Sequence, residues 1–293
     1  MRLFLLPVST RRSLIYCEKL PSTQSPASRS LLDKLTTKAS ETWVAWEQDS
    51  KAPLNWKKRV TTAGNQALNR IPFEEWGLKT LPALTPTRKK AILSGDEKYQ
   101  VLYPGLFLPK EKVPGILERL AMEKQGTYRR KMIWSIIAMP FTAPFALVPI
   151  VPNLPFFYLV YRAYSYWKAL SGSRHLAFLL KHNQPIPTPS HKLDLVYAAG
   201  LIHPTRDMAR EMETPSREEA ENVARGVEAQ MKEVEKEVMV LRRWNGKMIA
   251  EELGLADMEV EIERAVEQVE AKIKENEKKG KVVEVGGKEK KEE

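Results

Sequence analysis

Histidine and cysteine are the side chains that most often bind metals or act in catalysis, and this chain has few of them. No two of the four histidines lie three or four residues apart, the spacing that places two ligands on one helix face. The single cysteine, Cys17, is distant in sequence from all four and excludes an internal disulfide. We therefore predict no metal site and no cofactor. The histidines are His175, His182, His191 and His203.

Catalytic loop motifs are also missing from the sequence. There is no Gly-rich phosphate loop, nucleophile elbow or paired-carboxylate motif, and Gly286-Gly287 lacks a flanking strand and helix. We predict that the protein is not an enzyme and has no catalytic residues. The net charge of +10 at pH 7 favours anionic partners. Because the basic residues are not interleaved with aromatic ones, we expect membrane lipids rather than nucleic acid.

A long uncharged segment is the outstanding feature of the chain. Met132–Tyr161 contains no charged side chain, although 29% of all residues are charged. A bilayer core is spanned by about 20 apolar residues in a helix, and a central charge costs roughly 2.5 to 3.5 kcal/mol on insertion. Aromatic residues near both ends are typical of membrane interfaces. The pattern predicts a membrane segment over residues 131–181. The aromatic residues are Trp134, Tyr158, Tyr161, Tyr164, Tyr166 and Trp167.

Prolines decide which membrane architecture is expected. Each interior proline removes a helix hydrogen bond, so one straight helix is disfavoured. A helical hairpin that turns near Val151–Pro155 is favoured over a kinked or re-entrant segment, and a buried helical pair in a soluble domain is the third alternative. Basic residues at both flanks place both termini on one side, and Arg162 must snorkel or face a partner. The prolines are Pro140, Pro144, Pro149, Pro152 and Pro155.

The rest of the chain predicts a mainly α fold, because apolar positions recur at helical spacing and no strand alternation of useful length appears. Short amphipathic helices are expected at 30–46, after Pro53 as far as Pro72, and at 113–131. Composition divides the chain into a basic N-terminal helical region (1–130), the membrane segment (131–181), a Pro-containing linker region (182–213), an amphipathic helical region (214–276) and a disordered charged tail (277–293).

The C-terminal region predicts two long amphipathic helices. Ser216 with Glu219 forms a capping box before the first helix. A second helix is expected after Asp257, with a narrow apolar seam. The seams could pair with each other as an antiparallel pair, or with another chain as a coiled coil. The second seam consists of Met258, Ile262, Ala265, Val269 and Ile273.

Two stretches carry a family resemblance: MRLFLLPVSTRRSL at Met1–Leu14, and PFTAPFALVPIVPNLPFFYLVYRAYSYWKALSGSRHLAFLL at Pro140–Leu180. Over about residues 1–205 the sequence resembles the fungal mitochondrial K+/H+ exchange-related protein family. The resemblance implies a place in the mitochondrial inner membrane and a requirement in electroneutral exchange of potassium for protons. In that membrane, the basic flanks on one side predict that both termini lie in the matrix. It supplies no catalytic residues. Family members begin at the same motif, so the basic N-terminus is expected to belong to the working protein rather than to a cleaved presequence.

The chemistry of the uncharged segment limits the role that this resemblance implies. A proton-coupled carrier usually has an ionisable group inside the membrane, and Met132–Tyr161 offers none. We therefore expect an accessory or assembling subunit in a homo- or hetero-oligomer. An oligomeric pore lined by carbonyls around Pro140–Pro155 is a less favoured alternative. A membrane-tethered scaffold without a transport role is the alternative from another class, and the ion pathway stays unknown.

Overall fold

The computed structural model of the protein describes residues 1–18, 70–142, 154–203, 214–234 and 237–289, with a few isolated positions between them. Met1–Glu18 and Phe73–Glu293 belong to one compact unit, and Lys19–Pro72 to another. The helix predicted at 30–46 and most of the helix predicted before Pro72 lie outside the described residues.

A four-stranded sheet lies at the centre of the unit, in the order β2-β1-β3-β4. β1 and β2 are antiparallel, with Phe4 opposite Tyr16, whereas β1 and β3, and β3 and β4, are parallel. No sheet was predicted from the sequence. The strands are β1 (Arg2–Pro7), β2 (Ser13–Cys17), β3 (Tyr99–Tyr103) and β4 (Pro185–Pro189).

Burial on both faces explains why the sheet left no alternating pattern in the sequence. Leu3 and Leu5 pack into one hydrophobic core, and Phe4 and Leu6 pack into another on the opposite face. A strand that is covered on both sides is apolar at every position. A short continuous apolar run therefore has no periodicity that separates it from a helix.

Nine helices of the described residues surround the sheet. The first core lies under α1, α2, α3 and α5, and the second under α6, α8 and α9. The helices are α1 (Phe73–Thr80), α2 (Pro86–Ser94), α3 (Lys112–Met122), α4 (Gln125–Thr142), α5 (Leu154–Lys181), α6 (His191–Ile202), α7 (Arg217–Val234), α8 (Asn245–Leu253) and α9 (Asp257–Glu289).

Two glycines let α1 pack closely between β2 and α5. A Cβ atom at Gly77 would collide with the backbone oxygen of Ile15 in β2. A Cβ atom at Gly172 would collide with the backbone oxygen of Leu78 in α1. Neither neighbour is a flexible side chain, so both positions require glycine. α1 is thereby held against the sheet on one side and against α5 on the other.

The prediction of a transmembrane hairpin over residues 131–181 is wrong. Among the residues that the structure describes, no helix has the length and apolar character needed to cross a bilayer. α4 contains three consecutive charges, Arg129–Lys131, and α5 contains Arg162 and Lys168. The C-terminal half of α5 packs into the first core, with Leu170, Leu176 and Leu179 buried. The prediction that both termini share one side assumed a crossing and loses its basis.

The C-terminal half of the chain also differs from expectation. Pro185–Pro189, expected in a linker region, forms edge strand β4, where the missing proline N–H groups are tolerated. The apolar seam of α9 is buried, but it packs in the core shared with β1 and β2. α9 extends to Glu289, into the region expected to be disordered. Lys and Glu, which are frequent there, are good helix formers.

Candidate functional site

The C-terminal end of α4 and the N-terminal end of α5 carry an exposed apolar surface. Nine of the fifteen large hydrophobic side chains that are exposed among the described residues belong to these two helices. Trp134 is 64% exposed, Phe141 76% and Phe157 61%. Single exposed hydrophobic residues are normal, but a cluster of this size marks an interaction surface. We call the following set the apolar tip: Ile133, Trp134, Ile136, Ile137, Phe141, Phe157, Tyr158 and Val160.

Three basic side chains precede the apolar tip on α4. Arg129, Arg130 and Lys131 are all exposed and lie within one helical turn of Ile133. Between Lys131 and the end of the described helix at Thr142 there is no charge. We call Arg129–Lys131 the basic collar. A positive band beside exposed aromatic side chains is the arrangement found where a helix contacts anionic lipid headgroups.

The two helices run in opposite directions, so their uncharged ends lie together. The rings of Tyr128 and Tyr166 stack with their centroids 6.4 Å apart. In an antiparallel pair, the contact between Tyr128 and Tyr166 places Lys131, about one turn further along α4, level with Arg162, about one turn earlier on α5. Eleven uncharged residues follow on α4 and eight precede Arg162 on α5, lengths of about 16 and 12 Å at 1.5 Å per residue. These lengths match about one leaflet of a 30 Å hydrocarbon core.

A buried ion pair lies where α5 enters the domain. Both guanidinium nitrogens of Arg162 donate to the carboxylate of Glu75 in α1, at 3.0 and 3.1 Å. Glu75 is 1% exposed and Arg162 7%. The hydroxyl of Ser165 donates to the same carboxylate at 2.5 Å. Arg162 therefore faces a partner, one of the two outcomes expected for it, and the bidentate geometry is the strongest form of this contact.

A second cation, Lys79, completes the buried cluster. Its Nζ donates to Ser165 Oγ at 3.0 Å and lies 3.2 Å from the ring centroid of Trp76. Burial lowers the pKa of Lys79 to about 8, although Glu75 acts in the opposite direction. The guanidinium of Arg264 in α9 lies 4.4 Å from the centroid of the same Trp76 ring. The cluster therefore connects α1, α5 and α9 through charge and aromatic contacts.

The histidines and the cysteine considered first lie apart from both features. His175 is buried; its Nδ1 is 2.8 Å from the carbonyl oxygen of Pro82, and burial lowers its pKa. Cys17 is buried in β2, and burial raises the pKa of its thiol to about 12. His182 contacts the ring of Phe178. No group of three potential metal ligands occurs among the described residues.

The uncharged segment and its basic flank are visible in the sequence, but the ion pair was not predicted. Glu75 and Arg162 are 87 positions apart, and only the packing of α1 on α5 brings them together. A single acidic residue in a short helix carries no spacing signal. The one sequence feature that indicated such a pair was Arg162 itself, because a single charge at the end of a long apolar segment needs a partner when it is buried.

The fold is thus a small sheet covered by helices on both faces, and two of these helices carry an exposed apolar surface beside a basic band. The chain belongs to the mitochondrial K+–H+ exchange-related family, whose model matches residues 2–180. The resemblance noted from the sequence is confirmed, and the family name points to mitochondria. The match includes the tip, the collar and the Glu75–Arg162 pair, and it ends before β4.

Two fungal relatives are similar over much of the chain. An uncharacterized protein of Schizosaccharomyces pombe is 33% identical over 196 residues, which cover 66% of this chain and 81% of that protein. An uncharacterized protein of Saccharomyces cerevisiae is 25% identical over 212 residues, which cover 63% of this chain and 64% of that protein. No solved structure matches the chain.

Proposed function

We propose that the protein is an accessory or assembling subunit of mitochondrial K+/H+ exchange that attaches to the surface of the inner membrane through its apolar tip. The observation that carries this proposal is the tip beside the basic collar, with Trp134, Phe141 and Phe157 all more than 60% exposed. The family supplies the link to K+–H+ exchange in mitochondria. The surface supplies the means of attachment.

The geometry favours attachment from one side. The uncharged ends of α4 and α5 reach about 12 to 16 Å at 1.5 Å per residue, and interfacial helices bury their apolar faces by about 5 to 10 Å. When the tip reaches that depth, the collar lies at the headgroups, where each Lys or Arg contributes about 1 kcal/mol with anionic lipids. The occupant of this surface is therefore an anionic membrane.

The charged cluster supports an accessory role rather than the exchanger itself. Both carboxylate oxygens of Glu75 accept hydrogen bonds from Arg162, so this acid is neutralised by a permanent partner. A group that couples proton and cation movement must release one partner for the other. Glu75 is instead placed to fix α5, and thus the base of the tip, against α1.

Membrane attachment is tested by flotation of the purified chain with vesicles of phosphatidylcholine and phosphatidylglycerol. The wild type should float with these vesicles and much less with pure phosphatidylcholine. Replacing Trp134, Phe141 and Phe157 by Ser should abolish flotation. The matched control variant replaces Leu93 and Val260 by Ser; these residues lie outside the tip and are 59% and 56% exposed. It should float normally. Equal losses in both variants would refute the assigned surface.

The transport role is tested by swelling of isolated mitochondria in potassium acetate. Mitochondria that lack the protein should swell more slowly, and the wild-type chain should restore swelling whereas the tip variant should not. If swelling is normal when the protein is absent, the exchange role is refuted and a membrane-attached scaffold becomes the better explanation. If the tip variant restores swelling fully, attachment through the tip has no part in the function.

A further inference from the structure

A cleft of about 560 Å³ lies between α3, α7 and the turn that joins β1 to β2. This volume falls within the range of about 300 to 1,000 Å³ that is usual for small-molecule sites. Its floor is apolar, built from the loop before α3 and from residues of α3 and α7. The main floor residues are Leu106, Phe107, Ile116, Val227, Met231 and Val240. The cleft is formed by elements other than the tip.

One face of α3 brings positive charge to this apolar cleft. Lys112, Gly115, Ile116 and Arg119 all line it, at the spacing that puts residues on one side of a helix. One nitrogen of Arg119 donates to the backbone oxygen of Arg11 at 3.0 Å. Neither Arg119 nor Lys112 has a carboxylate partner among the described residues. The ionisable groups of the wall are Arg11, Lys112, Arg119 and, from α7, Glu228.

A second cavity adjoins the first across Arg11, Ser13 and Arg119, and it is more polar. Its volume is about 540 Å³. Three of its wall residues, Arg12, Glu74 and Tyr128, each keep one buried polar atom without a hydrogen-bond partner in the described part of the chain. Such atoms are rare in folded proteins. The other ionisable side chains in this wall are Arg11, Arg119, Glu123, Lys124 and Glu237.

We propose that the cleft binds one anionic amphiphile, with its acyl chain on the apolar floor and its carboxylate or phosphate head at Arg119 and Lys112. An apolar floor alone would bind any hydrophobic molecule, and the two cations alone would bind any anion. Their combination selects a molecule with both parts. The polar cavity behind Arg119 extends the space for the head group, and Arg12 and Tyr128 in its wall can donate further hydrogen bonds to it. Two sources have this chemistry, a free fatty acid and an anionic phospholipid.

Gly115 gives a direct way to close the cleft. A Cβ atom at Gly115 would have no neighbour within 4 Å, so Gly115→Phe places a bulky side chain in the wall of the cleft without a collision at its Cβ. Gly226 in α7 is also open to a Cβ atom and does not line the cleft. Gly226→Phe is therefore the matched control for the same substitution in a helix.

The fatty-acid arm titrates the purified full chain with laurate and with dodecanol, its uncharged analogue, by calorimetry. Laurate should bind with one-to-one stoichiometry, and dodecanol about tenfold or more weakly, because it lacks the charge-assisted contacts. Arg119→Gln should reduce laurate affinity by about tenfold and leave dodecanol unchanged. The phospholipid arm incubates the chain with phosphatidic acid vesicles, separates it, and detects any bound lipid by native mass spectrometry.

The proposal is supported if the chain binds laurate or phosphatidic acid, if Gly115→Phe abolishes this binding and if Gly226→Phe preserves it. The ligand that binds shows whether the natural ligand is a fatty acid or a phospholipid. Equal affinity for laurate and dodecanol, undiminished binding by folded Gly115→Phe, or no binding in either arm would overturn it. If Gly115→Phe fails to fold, the laurate and dodecanol titrations of the wild type and Arg119→Gln decide. The tip variant, in which Trp134, Phe141 and Phe157 are replaced by Ser, should bind laurate normally. If this variant loses laurate binding, the ligand binds at the tip and the proposal of a cleft site is refuted.

Discussion

Replacing Trp134, Phe141 and Phe157 by Ser gives the most direct measure of the tip. These side chains are 64%, 76% and 61% exposed. Aromatic side chains bury about 150 to 250 Å² each, so the three expose about 400 Å² together. At about 25 cal/mol per Å² their full immersion is worth about 10 kcal/mol. Interfacial helices are only partly immersed, and half of that value or less, about 3 to 5 kcal/mol, is the expected loss.

This loss corresponds to a decrease in vesicle partitioning of about 10² to 4 × 10³-fold, because each 1.4 kcal/mol is a factor of ten. The assay is a partition isotherm, measured by flotation at increasing concentrations of phosphatidylglycerol vesicles. Thermal unfolding in solution is the accompanying control, and it should change little because the replaced side chains are exposed. A partition coefficient within threefold of the wild type, in a variant with unchanged unfolding, would refute the assignment of the tip.

Four further predictions concern the collar and the core. Neutralising Arg129–Lys131 to Gln should weaken vesicle binding by about 3 kcal/mol at low salt and remove most of its salt dependence in the same isotherm. Arg162→Met should lower the free energy of unfolding by about 3 to 5 kcal/mol in urea titrations, because it leaves a buried glutamate unpaired. Since folding lowers the pKa of Lys79 to about 8, the unfolded state binds more protons than the folded state between about pH 8 and 10.5. The free energy of unfolding should therefore rise with pH in this window, and the rise should be smaller in Lys79→Met. Gly172→Ala should destabilise by about 1 to 3 kcal/mol through its backbone collision, whereas Gly226→Ala should stabilise by up to about 1 kcal/mol.

The sequence predicted properties that depend on local patterns and missed those that depend on distant contacts. The apolar seam of α9 and the uncharged segment before Arg162 both follow from residue spacing. The sheet did not, because β1 pairs with β3 almost 100 positions away and is apolar on both faces. The membrane segment predicted over residues 131–181 included the C-terminal half of α5, which is buried by the domain core instead. Burial by protein and burial by lipid select the same residue types, so composition alone does not separate them.

The positions of the two charge groups explain how the tip is both exposed and firmly held. The basic collar on α4 and Arg162 on α5 lie at the same level of the helix pair. The collar side chains are exposed to solvent, whereas Arg162 is buried against Glu75. The collar therefore has no part in core packing, and the ion pair has no part in surface charge. Arg162→Met should reduce stability yet leave the vesicle partitioning of the folded protein unchanged. Neutralising the collar should do the reverse, and a variant of either kind that alters both properties would contradict this separation.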